Sequence, residues 1–376
     1  MNDKFFTLTF IVCLLLLGLQ CIGIFFPSAY NWGFHFAGFL PGYIAAIYLL
    51  LGTIALLTIA YGKQETVLNA VGSLAEKKPV FFLLGIITFF LALAFTFKIQ
   101  VPLLGDSYVI TNIIENAVNG RQALRLHSEP LSIFFFYSIS VLTGAAQTAE
   151  IQNAFFFAEL LLGVGYCINI FVIAKTLFSD GKKQALLTGF LMTLPSLQLF
   201  LGYIEWYPFV FFCLSLYLLT IVLYIKRNTP FYFLLPAYFL VVGSHYVNGL
   251  FLPALLFLAY HEIKTNGYKH LLIGTGILCL LGFVLLWMMD FDAMKLFQRE
   301  EPVPLLALFS TDDRYNVYTL FSVYHAIDIL NLVIMLGSFT ALFFFVSFVK
   351  KRNTILRSLE GWYFVFLQKR RRRTMP

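Results

Sequence analysis

The sequence predicts an all-α fold, a polytopic bundle of membrane helices, and three observations carry that reading. The 376 residues are 60% hydrophobic and only 12% charged, with a mean hydropathy of +0.83. A soluble domain has no interior large enough to hide so much apolar surface. Several apolar runs reach the roughly 20 residues that a helix needs to cross a ~30 Å hydrocarbon layer. No alternation of apolar and polar residues of the kind that builds a membrane barrel is present. Counting these runs gives about nine to eleven spanning or re-entrant helices.

In chain order, residues 5–26 are too long for a signal-peptide core and lack a small-residue cleavage site, so they read as a retained first span. Spans at 36–61 and 79–97 follow. Residues 98–130 then form the first long outer-face loop, and 106–118 within it read as an interfacial helix. Val109, Ile110, Ile113, Ile114, Ala117 and Val118 make its apolar face, opposite Thr111, Asn112, Glu115 and Asn116. The short apolar run 131–147 is ambiguous. Spans at 153–175, 184–203 and 206–225 come next. The run 231–260 is long enough to cross, but "VVGSHYVNGLF" breaks it near its middle. A span at 270–289, an outer-face loop at 290–325 and a span at 326–349 complete a transmembrane domain of residues 1–349. Residues 350–376 form a basic tail.

Charge decides how this thread runs. Simple alternation places the basic connections at 175–183 and 226–227 outside, against the rule that Lys and Arg stay on the cytoplasmic side. The conflict disappears if 131–147 lies along or re-enters the outer face and 231–260 is a hairpin with its apex at His245–Asn248. In that arrangement 20 of the 26 Lys and Arg are cytoplasmic. The acids go the other way, with 12 of 19 on the outer side. The net charge of +7 is thus a topological signature, and no basic patch interleaved with exposed aromatics suggests nucleic acid. Each hairpin arm has about 14 residues, or ~21 Å, shorter than the hydrocarbon is thick, so its polar apex is expected in a covered cavity.

The polar residues on the outer side each have a plain reading and a chemical one. Asp106 starts the amphipathic helix, as an N-cap or as a rigidly held reactive carboxylate. In "HSEP", Pro130 suits a first helical turn, Glu129 favours its positive end, and His127 gains interest from its acidic neighbours. "GYIEWYP" is a tight turn between spans. Tyr203, Trp206 and Tyr207 suit an interfacial aromatic belt, while Glu205 has no such explanation. His245 and Asn248 either cap broken helices or meet a ligand. Glu159 lies in "FFFAELLLGV", where an ionisable group is costly and marks either function or a buried polar partner. Arg299 and Arg314 suit a phosphate through their forked donors. His325, Asp328 and Asn331 recur every three residues at the top of the last span and share one face.

The five cysteines, Cys13, Cys21, Cys167, Cys213 and Cys279, all fall in apolar runs without metal-type spacing and read as packing residues. No phosphate-cradling glycine loop, HExxH zinc motif or GxSxG nucleophile elbow occurs.

The layout of an early long outer loop with an acid near its start ("GDSY", Asp106), an amphipathic stretch and then "HSEPL" (127–131) leading into the next apolar run resembles the GT-C membrane glycosyltransferases. These include the protein O-mannosyltransferases and the aminoarabinose transferases of lipid A. Many relatives carry two adjacent acids where this chain has Asp106–Ser107. The resemblance implies transfer of a sugar from a polyprenyl-phosphate carrier to a lipid, glycan or protein acceptor on the non-cytoplasmic face of a bacterial inner membrane. On that likeness Asp106 and Glu129 are the catalytic candidates. His127, Glu205, Tyr207, His245, Asn248, Arg299, Arg314, His325 and Asp328 are the substrate-binding candidates. A divalent cation is admitted but not demanded. A transporter or flippase of a lipid-linked or small polar substrate, and a surface-polysaccharide polymerase or ligase, stay open as alternatives. The first of these predicts internal repeats and midplane charges.

Overall fold

A computed structural model describes residues 3–26, 28, 30–31, 34, 42–61, 64–99, 106–122, 124, 129–227, 229–288 and 319–333. Every regular element among them is helical, and five helices are long and apolar enough to cross a membrane. The chain is an all-α polytopic bundle. It falls into two compact units, one of residues 1–70 and 301–352, the other of residues 71–300 and 353–376.

In the first unit, α1 (Asp3–Phe25) pairs with α2 (Gly42–Ala60), and the Tyr48 hydroxyl donates to Gln20 Oε1 at 2.9 Å. The helix Val323–Val333 is fastened near Tyr30. Asn331 Nδ2 donates to the Tyr30 carbonyl at 2.9 Å, and the Tyr324 ring stacks on Tyr30 with centroids 6.4 Å apart. The unit boundary falls within α3 (Gln64–Lys77).

The second unit is built around α7 (Thr148–Leu177), a 30-residue helix about 45 Å long. No proline interrupts it, and a capping box opens it, Glu150 reaching back to the Gln147 N–H at 3.2 Å. Against it pack α4 (Pro79–Thr96), α6 (Pro130–Thr143), α8 (Gly181–Met192) and α9 (Tyr207–Arg227). The α4–α7 crossing depends on Gly163, because a Cβ there would overlap the Phe90 ring. Asn169 Nδ2 donates to Ser215 Oγ at 2.9 Å, a polar clasp between α7 and α9 inside the apolar bundle.

The ambiguous run before α7 is α6, a helix of 14 residues. Its first turn reaches α10 (Leu234–Ser244) through a bond from Ser132 Oγ to the Ser244 carbonyl at 2.8 Å. Its middle lies on the first turns of α7, with the rings of Phe136 and Phe155 stacked 4.2 Å apart. The amphipathic helix α5 (Ser107–Val118) runs beside it, and its end also meets the start of α7: Asn119 Nδ2 donates to the Ala146 carbonyl and Thr148 Oγ1 to Glu115 Oε2. Together α5, α6 and the opening of α7 form a cap on one end of the bundle.

The broken run is the expected hairpin. Helix α10 ends at Ser244, residues Tyr246–Phe251 make a 3-10 turn, and α11 (Leu252–Asn266) returns. The run expected as a span at 184–203 is not one continuous helix. Here α8 stops at Met192, about 18 Å long, and a 3-10 segment Pro195–Phe200 follows. Proline has no N–H to continue a helix and drives its predecessor into extended backbone; Leu194 takes φ −66°, ψ 139°. Helix α12 (Lys269–Met288) closes the unit.

At the end away from the cap, Gly72 lies against Lys182 and Tyr224 bonds Glu262, so the basic connections near 77–78, 175–183, 226–227 and 264–269 share that end.

Candidate functional site

Four chain segments meet where the cap joins the bundle. Asp106 stands at the N-cap position of α5, yet its side chain accepts no bond from the first turn. Its plain N-cap reading therefore fails. The Asp106 main-chain N–H donates instead to Glu205 Oε1 at 2.9 Å, and Ser107 Oγ donates to the Ile204 carbonyl at 2.8 Å. Those two bonds pin the start of α5 onto the tight turn at 201–206. Glu129 holds the same N-cap position on α6 and likewise makes no cap bond. Its Oε1 lies 3.1 Å from His245 Nε2.

His245 is the break between the two hairpin arms, with extended backbone at φ −162°, ψ 121°. Its Nδ1 accepts the Val247 N–H at 3.2 Å. In the neutral ring the proton consequently sits on Nε2, the atom that faces Glu129. The Tyr207 ring stacks on the imidazole with centroids 6.4 Å apart. Asn248, by contrast, turns inward and donates to the Val241 carbonyl at 2.9 Å, closing the end of α10. It is a cap.

Glu205 is the buried member of the group, only 6% exposed. Burial pushes its carboxyl above the ordinary value, and the negative charges of Asp106 and Glu129 add to the rise. The N–H groups of Asp106 and Trp206 oppose it. The Tyr203 hydroxyl is raised as well, by burial first and then by Glu205 and Asp106. Tyr203 therefore belongs to the acidic cluster. The Trp206 ring lies 6.0 Å from Phe136 and 6.1 Å from Phe155, in the seam between α6 and α7.

Across the 201–206 turn lies a cavity of about 170 Å³, lined by Lys98, Gln152, Asn153, Phe156, Gly202 and Ile204 among others. Lys98 Nζ donates to Asn153 Oδ1 at 3.2 Å and sits 4.4 Å from the centre of the Phe156 ring. One turn thus separates a group of three carboxylates from a half-buried ammonium. Nothing in the sequence spacing marks Lys98; only its place beside Gly202 does.

His325 and Asp328 belong to the other compact unit, where His325 Nδ1 bonds the Leu320 carbonyl at 2.8 Å. His127, Arg299 and Arg314 lie outside the described residues. Among the described residues no three His, Cys, Asp or Glu side chains stand close enough together to hold a metal ion. Comparison with protein-family models, curated proteins and solved structures found no match.

The electrostatics of Glu205 lead to a test. Because its carboxyl is raised in the fold, its contribution to stability is complete below the ordinary carboxyl range and is lost as pH climbs through the raised value. Glu205→Gln keeps an oxygen for the Asp106 N–H and carries no charge. Its thermal midpoint should equal or exceed the parent's in mildly alkaline buffer and vary less with pH. A variant that melts earlier than the parent there would show that the charge stabilises the turn.

Proposed function

We propose that this protein transfers a sugar from a polyprenyl-phosphate carrier to a hydroxyl acceptor at the capped end of the bundle, on the non-cytoplasmic side of a membrane. The observation that carries the reading is the meeting of Asp106, Glu129 and Glu205 with His245. Four segments far apart in sequence come together at the edge of an apolar bundle. The gathering of basic connections at the opposite end supports the orientation. Nucleotide sugars are absent from the outer side, which favours a lipid-borne donor.

In this mechanism the acceptor hydroxyl approaches Asp106, the exposed carboxylate, whose place is set by Glu205 beneath it. Its oxygen attacks the anomeric carbon as Asp106 takes its proton. The bond from that carbon to the phosphate oxygen breaks, and the electron pair leaves with the phosphate. Lys98, across the turn, supplies positive charge for that leaving group. Glu129, oriented by the His245 Nε2–H, accepts hydrogen bonds from sugar hydroxyls, and Tyr207 offers a ring face beside it.

Purified protein in liposomes, given radiolabelled polyprenyl-phosphate sugars and an envelope glycolipid extract, should move label from the carrier to the acceptor. Movement of a labelled substrate across the bilayer with no covalent transfer would replace this reading with transport.

A further inference from the structure

Glu159 is a carboxylate with no exposed surface inside the apolar helix α7, and the mechanism above does not use it. An ionisable group at such a place is expensive and needs a reason. Its Oε2 accepts the Gly202 N–H at 2.6 Å, and the Tyr203 N–H also faces the carboxylate. Its Oε1 has no hydrogen-bond partner among the described residues, and the Lys98 ammonium acts on the carboxylate electrostatically. Its bonds go to the turn.

That turn cannot hold its shape unaided. Gly202 takes φ +90°, a left-handed conformation open mainly to glycine, so its backbone rather than a lack of space excludes a side chain there. The Ile99 N–H fastens the turn from α4 by donating to the Leu201 carbonyl at 2.9 Å. Two and three residues past Gly202, the Ile204 carbonyl and the Glu205 carboxylate receive Ser107 and Asp106. A continuous set of bonds therefore runs from α7 through the turn to the start of α5.

We infer that Glu159 is a positioning residue: a buried strut whose carboxylate holds the 201–206 turn so that Glu205 in turn places Asp106. Because two N–H groups converge on it, the property required is hydrogen-bond acceptance at that depth. The proposal rests on the glycosyl-transfer reading only for its kinetic consequence.

The test compares Glu159→Gln, which keeps an acceptor oxygen, with Glu159→Met, which matches the apolar surroundings and removes it. In each folded variant, carbodiimide coupling of glycine ester to Glu205 is followed against pH by peptide mass spectrometry. With Met, the turn loosens, Glu205 gains water, and its coupling should rise about fivefold with a midpoint shifted toward the ordinary carboxyl value. With Gln, both should stay near the parent's. For transfer activity, Met should lower kcat by about 10²-fold at nearly constant KM, and Gln should restore most of it.

Unchanged Glu205 labelling in a folded Met variant would overturn the inference. So would a Gln variant as disturbed as Met, since charge rather than acceptance would then be the requirement. If Met prevents folding, Gly202→Ala displaces the same N–H from the other partner and is read by the same labelling. The labelling result stands even if the parent transfers no sugar, so failure of the strut and failure of the reaction are told apart.

Discussion

Asp106→Asn should reduce sugar transfer by about 10²–10⁴-fold while leaving the melting temperature nearly unchanged. The two halves of this expectation have separate causes. Asparagine is as good an N-cap as aspartate, and the wild-type side chain makes no cap bond to lose. The bond that ties this position to Glu205 uses the main-chain N–H, which the substitution keeps. What disappears is a proton acceptor beside the attacking hydroxyl. The variant therefore tests the chemical reading of Asp106 by itself: a residue that only marks the start of a helix tolerates Asn. Transfer within threefold of the parent, in membranes with equal amounts of folded protein, would remove Asp106 from the chemistry and leave Glu129 as the remaining accessible carboxylate.

Glu262→Leu should destabilise the protein by about 3 kcal/mol. Glu262 has no exposed surface and accepts from three elements at the end of the bundle opposite the cap. The Tyr224 hydroxyl of α9 donates at 2.8 Å, Asn266 Nδ2 of α11 at 3.0 Å, and His270 Nδ1 of α12 lies 2.7 Å away. Leucine fills a similar volume, so the loss reports orphaned polar groups rather than a cavity. Asn266 and His270 are near enough to solvent to recover water, whereas Tyr224 stays buried and carries most of the cost. Thermal unfolding in detergent followed by tryptophan fluorescence measures it. A midpoint within a degree of the parent's would mean that the three donors find other acceptors. Because α10 and α11 carry His245 at their apex, a loosened Glu262 end should also weaken the Glu129–His245 pair at the far end of the same hairpin.

The hairpin break was legible because "SHYVNG" places polar residues and a glycine amid apolar ones, and no lipid-exposed helix tolerates that. The amphipathic helix α5 was legible from its pattern, whereas its packing with α6 into a cap depends on contacts between segments. The break within the run 184–203 was missed because hydropathy averages over Pro195, whose effect is on backbone hydrogen bonding rather than on polarity. Trp206 and Tyr203 suit a lipid interface by residue type, but the aromatic seam and the acidic cluster they join depend on how α6 and the turn pack.

The sequence by itself determined the fold class, the amphipathic helix, the hairpin and the sorting of charge between the two ends. All of these follow from where apolar runs begin and end, and the bilayer requirement acts on each segment alone. Only the tertiary structure decided that Asp106, Glu129, Glu205 and His245 share a site, that Asn248 is a cap, and that Lys98 and Glu159 flank the turn between them. Those relations join segments through single directed bonds, and a hydrogen bond between distant residues leaves no periodicity in the chain that makes it.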